Sequence, residues 1–335
     1  MALVSVCIAN YNGIDLIDDC IASVRAQEGG VPAEILVFDD ASTDGSARHI
    51  RARHPDVVLI ESDANAGFCV ANNRMAAVAR GKYLLLLNND ATLLPDALST
   101  LQAEAGRLLR PAILSLPQYN AATGELLDIG SLLDPFLNSV PNRDRTRNEV
   151  GMVAGACLWI DKALWQALGG FPAWFGSLAE DLYLCCRARL AGHPVRALGV
   201  SGYRHRVGYS FSGGKAGNGR LATTFRRRAL SERNKTYVMA MTYPAPYLQI
   251  VLPLHLILLL TEGVTLSILN GRLKFLKEIY LPVFTGLIIE RNNLRAVRAN
   301  VIKSRCLGGA DFFAVFDWVP HKLRLLARYG LPSVR

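Results

Sequence analysis

The sequence predicts an α/β fold with a mostly parallel central sheet, continued by a mainly helical segment that is both apolar and basic. Three observations carry that expectation. Through residues 1–202, apolar runs of about six residues alternate with stretches of helical periodicity, the pattern of βαβ units. Three of those runs end in polar clusters, Asn10-Tyr11-Asn12, Asp39-Asp40 and Asn88-Asn89-Asp90. The charge also changes sign along the chain. Residues 1–202 hold 16 Lys and Arg against 22 Asp and Glu, and residues 203–335 hold 21 against 6.

The elements follow in order. "LVSVCIA" (3–9), rich in Val and Ile, reads as a first strand rather than a signal peptide, because no basic leader and long apolar core precede a cleavage site. Leu16, Ile17, Cys20, Ile21 and Val24 then recur at helical spacing. "EILVFDD" (34–40) is a second strand, and the helix after it takes Ser42 or Thr43 as its cap. "VVLIES" (57–62) and "KYLLLLNND" (82–90) are further strands, separated by a helix over 67–80. "PDALSTLQAEAGRLL" (95–109) opens with Pro near a helix start. Residues 117–150, polar and rich in Asn, Asp and Arg, read as a mobile loop over a cleft. A strand and short helix occupy "GMVAGACLWIDKALWQALGGF", and a helix over 180–193 begins with Glu180-Asp181. Acidic residues suit a helix N-terminus electrostatically, so end-capping is the bland account of that pair.

Parallel sheets bind ligands at the carboxyl ends of their strands, and the three polar clusters are expected to open on one such edge. No GxGxxG follows the first strand and no GxxxxGK[ST] occurs, which argues against a dinucleotide fold and a P-loop. Seven scattered cysteines form no CxxC pair and read as reduced core residues of a cytosolic protein. The site chemistry therefore rests on carboxylates. Such a site holds a diphosphate only through a divalent cation, and Mg²⁺ takes one or two protein carboxylates plus phosphate oxygens. Asp90 fits that role, and Glu180-Asp181 could supply a general base.

"VSVCIANYNG", "VFDDASTDGS", "ANAGFCVANNRMAAVARGKYLLLLNNDATL", "GACLWIDKALWQALGGF" and "AEDLYLCCRARLAGH" together resemble, in order, the family 2 inverting glycosyltransferases of GT-A fold, in their bacterial rhamnosyltransferase-like branch. The resemblance spans about residues 3–235 and implies a glycosyltransferase domain over 1–235, with 236–335 a membrane-associating or oligomerisation region. It implies a nucleotide-sugar donor held by Ala9, Asn10, Tyr11, Asp39, Asp40, Asn73, Asn89 and Arg233. It implies Mg²⁺ or Mn²⁺ on Asp90 and His205, and Asp181 as the base with Glu180 beside it. Asn88 stands where the family's metal motif has its first Asp, and Tyr183 stands where the branch often has another acid. The implied reaction transfers a sugar to a hydroxyl of a glycan or lipid-linked acceptor in bacterial surface polysaccharide synthesis. The alternative is a non-catalytic sugar-nucleotide or glycan binder on the same fold.

The basic half differs in kind. Residues 236–271 carry a single charged residue, Glu262. Gln249, Pro253, His255 and Glu262 interrupt the apolar stretch 246–269, which favours a re-entrant or interfacial helix, or an oligomer interface, over a clean span. Arg226-Arg227-Arg228 precedes it, and "RLKFLKEIY", "RNNLRAVRANVIKSR" and "WVPHKLRLLARYG" follow. Basic residues flanking apolar helices suit an anionic leaflet, placing the protein in the cytoplasm against the inner face of the cytoplasmic membrane. A nucleic-acid partner is not expected, since the basic residues form no aromatic-interleaved groove.

Overall fold

The computed structural model describes residues 3–206, 215–217, 220–330 and 333–334. The chain forms two compact units: Met1–Ser131, Pro141–Ala188 and His193–Val207 make the first, and Leu132–Val140, Arg189–Gly192 and Gly208–Arg335 the second.

The first unit is built on a seven-stranded sheet. Its strands are β1 (Val4–Asn10), β2 (Ala33–Asp39), β3 (Val58–Glu61) and β4 (Tyr83–Asn88), then β6 (Ile113–Ser115), β11 (Cys157–Asp161) and β12 (Val195–Ala197). The short strands β5 (Ala91–Leu93), β7 (Gln118–Asn120), β8 (Leu126–Asp128), β9 (Ser131–Leu133), β10 (Ser139–Pro141) and β13 (Tyr203–His205) fall between or after them. The order is β12-β6-β11-β4-β1-β2-β3, parallel throughout except for β11, which runs antiparallel to both neighbours. The mostly parallel sheet expected from the alternation is thus present, with one reversed strand that a single chain's periodicity does not reveal.

Helices α1 (Ile17–Arg25), α2 (Ser46–Arg53), α3 (Phe68–Val78) and α4 (Ala97–Arg107) join the strands, and α5 (Lys162–Leu168) and α6 (Glu180–Leu190) follow later in the chain. Alternation sets which face each covers. Val4, Val6, Ile8, Val37, Leu85, Leu87 and Trp159 form one core with Ile17, Ile21 and Val24 of α1 and Leu98 and Leu101 of α4. The opposite face takes α3, whose Arg74 lies over the Phe38 ring at 5.6 Å. Strands β5 and β13 pair antiparallel, and β13 runs parallel to β7 in a separate four-stranded sheet with β8.

Two expectations need correction. Residues 117–150 contain β7 to β10 rather than a mobile loop, because the polar residues make local hydrogen bonds that stand in for apolar patterning. Asp144, for instance, accepts from the backbone N–H and the hydroxyl of Thr146. Within this stretch Leu132–Val140 belongs to the second unit, where Asp134 accepts from the backbone N–H groups of Phe136, Asn138 and His321. Of the cysteines, six are buried as expected and Cys306 is exposed.

The second unit is mainly helical: α7 (Phe225–Thr242), α8 (Tyr247–Leu269), a π-helical turn at Leu276–Tyr280, α9 (Leu281–Ile289), α10 (Arg291–Lys303), α11 (Gly309–Phe313) and α12 (His321–Tyr329). Helix α8 is long and apolar enough to cross a membrane by length and composition. Two of its polar interruptions, His255 and Glu262, are paired within the unit, while Gln249 is exposed. His255 is buried against the Thr236 hydroxyl at 2.9 Å, and burial pushes its imidazole down to about 3, so it stays neutral. Glu262 pairs with Arg228 at 2.5 Å and with Lys322 at 2.8 Å, and Lys322 also reaches the buried Glu232, itself paired with Lys235.

Leu85 sits fully buried in the central strand β4. Leu85→Ala is expected to lower stability by about 3 kcal/mol through lost transfer energy and the cavity left behind, read as a shifted midpoint in urea unfolding.

Candidate functional site

The parallel register aligns the strand ends. Asn10 lies opposite Asp39, and Ala9 opposite Asn88. Because side chains alternate, Asn10, Asp39 and Asn89 continue one pleat row, and the structure binds them into a chain. Asn89 Nδ2 donates to Asn10 Oδ1 at 2.8 Å, and Asn10 Nδ2 donates to Asp39 Oδ2 at 3.0 Å. Asp39 also accepts from the Ser42 hydroxyl at 2.8 Å and the Ser42 backbone N–H at 3.0 Å. The loops beyond are laced together, with Thr43 N–H donating to Asn12 Oδ1 and Asn12 N–H to Ser42 Oγ. Gly13 permits this row: a Cβ there would lie 2.2 Å from Asn89 Nδ2 and 2.4 Å from Asn10 Oδ1. Tyr11 projects beside the row with half its surface, 53%, exposed, leaving a ring face open for stacking.

Asp40 and Asn73 are differently placed. Asp40 holds the turn into α3, its two oxygens accepting from the backbone N–H groups of Ala66 at 2.6 Å and Gly67 at 2.9 Å. Asn73 grips the Gly169-Gly170-Phe171 turn, donating to Phe171 O at 2.8 Å and accepting from Phe171 N–H at 3.0 Å. Gly170 fits there because a Cβ would meet Asn73 Oδ1 at 2.6 Å. These contacts make both residues clamps on the loops that frame the strand edge.

Asp90 and His205, far apart in sequence, do come together. Strand β13 pairs with β5 immediately after Asp90, placing His205 opposite Ala91. His205 Nε2 stands 3.0 Å from Asp90 Oδ1 and 3.4 Å from Asn88 Nδ2. The Asp90 side chain is only 2% exposed, so imidazole and carboxylate face each other largely out of water. One carboxylate, one imidazole and the neighbouring Asn88 amide form a donor set that fits a divalent cation whose remaining positions go to phosphate oxygens. The rest of the segment resembling the family around His205, residues 207–214, lies outside the described residues.

Glu180 and Asp181 open α6, directly after Leu178 and Ala179. Those two carry φ of +72° and +66°, a left-handed pair of non-glycine residues, which costs about 1–3 kcal/mol per residue. Asp181 accepts from Gly155 N–H at 3.0 Å and Leu182 N–H at 2.7 Å. Glu180 is buried, and its Oε2 has no hydrogen-bond partner among the described residues. Burial, and then the charge of Asp181, push Glu180 up to about 8. Burial raises Asp181 as well, against the pull of its backbone donors.

Arg233 belongs to the second unit, on α7, where its guanidinium lies over the Tyr237 ring at 5.7 Å. Reading the sequence placed Asn12 only in a polar cluster and Ser42 only as a helix cap, and it did not single out Gly13 or Gly155. "NYNG" and "AGAC" carried the signal, since glycine beside a strand end marks close approach. A second His/Asp cluster lies at α1 and α2, where His49 Nε2 and His54 Nε2 each stand 2.8 Å from Asp18 Oδ1. Arg25 stands 2.9 Å from His54 Nδ1 and can only donate, which fixes the proton on Nε2. This cluster is therefore a hydrogen-bonded clasp between two helices.

Residues 5–167 match the model of glycosyl transferase family 2. Among known relatives, the succinoglycan biosynthesis protein ExoO of Rhizobium meliloti is 40% identical over 92 residues, 27% of this chain and 26% of that one. The N-acetylglucosaminyl-diphospho-decaprenol L-rhamnosyltransferase of Mycobacterium tuberculosis is 26% identical over 192 residues, 48% of this chain and 62% of that one. The chain thus spans less than two thirds of either relative. In fold it is similar to GalNAc-T7 solved with UDP, GalNAc and Mn²⁺, with a TM-score of 0.62 at 14% identity over 99% of this chain and 59% of that one. It is also similar to the mannosyltransferase PcManGT of Pyrobaculum calidifontis solved with GDP-Man and Mn²⁺, with a TM-score of 0.51 at 17% identity over 90% and 85% of the two chains. The GT-A fold expected from the resemblance is the fold observed.

The carboxylate pair has a consequence for stability. Glu180 is held protonated well above the ordinary carboxylate range, so the unfolded chain gives up its proton first and stability falls as pH rises from about 4.5 to about 8. Glu180→Gln removes that dependence. Its melting temperature is expected to gain a few degrees on the unsubstituted protein between pH 5 and 8.5, measured by calorimetry.

Proposed function

We propose that this chain, whose residues 5–167 belong to glycosyl transferase family 2, is an inverting glycosyltransferase. It moves a sugar from a nucleotide-diphospho-sugar to a hydroxyl of a glycan or lipid-linked acceptor in bacterial surface polysaccharide synthesis. The observation that carries this reading is the placement, within one unit, of the Asn89–Asn10–Asp39 row, the Asp90–His205 pair and the raised Glu180–Asp181 pair.

In this reading Asp39 and Asn10 hold the nucleotide's base and ribose side, with the Tyr11 ring against it. Asp90 and His205 hold Mg²⁺ or Mn²⁺, the second of which is present in both solved structures named above. When bound, the cation offsets the charge of the departing diphosphate. Asp181 does the proton work. An acceptor hydroxyl attacks the anomeric carbon, the bond from that carbon to the diphosphate oxygen breaks, and the hydroxyl proton passes to the Asp181 carboxylate. One displacement inverts the centre. Burial, which weakens Asp181 as an acid, strengthens it as a base, and its two backbone donors hold the carboxylate in place. Glu180, kept neutral, adds no second negative charge beside the incoming oxygen.

Asn88, in place of the acid at the start of the metal motif, favours the rival reading of a sugar-nucleotide binder without turnover. One variant separates the two. Asp181→Asn is expected to bind nucleotide-sugar within about twofold of the unsubstituted protein, by calorimetric titration, while transfer falls by about 10²–10⁴-fold. Transfer at the unsubstituted rate would sink the enzyme assignment.

We further propose that the second unit docks on an anionic membrane surface from the cytoplasmic side. Ile250, Leu254, Ile257, Val264 and Ile268 make an exposed stripe along α8, while Leu259, Gly263 and Leu266 face its own unit. The one acid of that helix, Glu262, is already neutralised by Arg228 and Lys322. Arg272 and Leu273 line a groove with Val264 and Ile268, which sets a cation beside the apolar stripe as an anionic leaflet requires. The paired substitution Ile257→Glu and Ile268→Glu in the full chain is expected to abolish flotation with phosphatidylserine vesicles. Unchanged flotation would refute this docking face.

A further inference from the structure

Beyond the two groups assigned to the cation, a third side chain, Gln118, lies against one of them. Gln118 on β7 lies opposite Tyr203 on β13, one row from His205. The Tyr203 hydroxyl donates to Gln118 Oε1 at 2.9 Å, and Gln118 Nε2 lies 3.1 Å from His205 Nδ1. Tyr203 is buried and Gln118 nearly so, at 9% exposed, so these groups have no water with which to exchange partners freely.

The donor and acceptor inventory of this chain is restrictive. A neutral imidazole carries one N–H, and the primary amide has one donor end and one acceptor end. With Tyr203 donating to Oε1, the amide nitrogen must donate to Nδ1. The imidazole proton is then on Nε2, pointing at Asp90 Oδ1 3.0 Å away. In that setting Nε2 has no lone pair for a cation. Turning the amide over gives the other setting. Gln118 Nε2 then donates to the Tyr203 oxygen, Gln118 Oε1 accepts a proton carried on His205 Nδ1, and the Nε2 lone pair faces Asp90. The phenol oxygen can accept as well as donate, but its buried proton then gives up the Gln118 acceptor, so this setting needs a cation on the Nε2 lone pair to offset the loss.

We propose that Gln118 is a positioning residue that fixes which ring nitrogen of His205 carries the proton, and that cation binding at Asp90 and His205 turns its amide over. The inference rests on the cation role assigned to that pair under Proposed function. Without cation, His205 is locked to Asp90 and the site is closed on itself; with cation, the same three side chains hold the ring open towards the metal. Partners that orient a ligating imidazole in this way change metal affinity by about 10–100-fold when removed.

The test uses the full chain, ¹⁵N-labelled, with Cd²⁺ alone as a diamagnetic probe and the His205 signals assigned by comparison with His205→Gln. Long-range ¹H–¹⁵N correlation is expected to show the proton on Nε2 before Cd²⁺ and on Nδ1 after it. Gln118→Met is expected to weaken Cd²⁺ by about 10–100-fold. Gln118→Glu, whose carboxylate only accepts, is expected to bind at least as tightly as the unsubstituted protein and to show the Nδ1 proton even before the cation is added. The relay is overturned if Cd²⁺ shifts the His205 nitrogens while the proton is already on Nδ1 beforehand, or if Gln118→Met binds Cd²⁺ unchanged. If Cd²⁺ leaves the His205 signals untouched and binds Asp90→Ala equally well, the cation assignment itself fails, and the relay with it.

Discussion

The parallel register of β1, β2 and β4 is the constraint on which the candidate site depends. It places Asn10 beside Asp39 and Ala9 beside Asn88, so that three chain segments stop at one level. Hydrogen bonding then converts alignment into rigidity, because Asn89, Asn10, Asp39 and Ser42 each hold the next. A buried polar row of this kind is stable only when its members are satisfied. The tight fit over Gly13 shows how little space is left above it. A slip of one residue in β1 would turn Asn10 to the α3 face and leave Asp39 without its partner.

The acids of the first unit have been given different environments, and the differences separate their chemistry. Asp39 and Asp40 each accept from several donors, Asp39 from Asn10 and Ser42 and Asp40 from Ala66 and Gly67. Asp90 faces an imidazole. Glu180 has burial and a neighbouring acid but no hydrogen-bond partner on Oε2 among the described residues, so it holds its proton. Asp181 lies between these extremes, raised by burial yet gripped by two backbone N–H groups. For the base role proposed for Asp181, both a raised basicity and a fixed direction are what abstraction of a hydroxyl proton requires. The left-handed Leu178-Ala179 pair directly precedes these two acids.

In the second unit the polar interruptions of α8 answer to packing. Glu262, Arg228, Lys322, Glu232 and Lys235 neutralise one another, and His255 is tied to Thr236. With His255 buried and Glu262 paired, the helix presents a mainly apolar outer stripe, with Gln249, Thr261 and Thr265 as its exposed polar residues. A sequence window that averages all four faces of a helix records Glu262 and His255 as breaks in hydropathy. The folded unit separates them from the exposed face, so the breaks and the apolar stripe coexist.

Much of this was legible along the chain. Apolar periodicity marked β1 to β4 and α1 to α4 and put their polar ends on one edge, since strand period and parallel connection are local properties. The family motifs named Asp39, Asp90 and Asp181 together. Other features were decided by distance in sequence. The antiparallel direction of β11, the strands within 117–150, and the use of Asp40 and Asn73 as clamps on Ala66, Gly67 and Phe171 all depend on partners that periodicity does not record. So does the contact of His205 with Asp90, across 115 residues, and of Gln118 with His205 across 87. The sequence by itself determined the strands β1 to β4 and which acids end them, because side-chain alternation and turn chemistry act over a few residues. Only the tertiary structure decided which of those acids are gripped, paired or left protonated, because a carboxylate's state is set by whatever the fold brings within hydrogen-bonding distance.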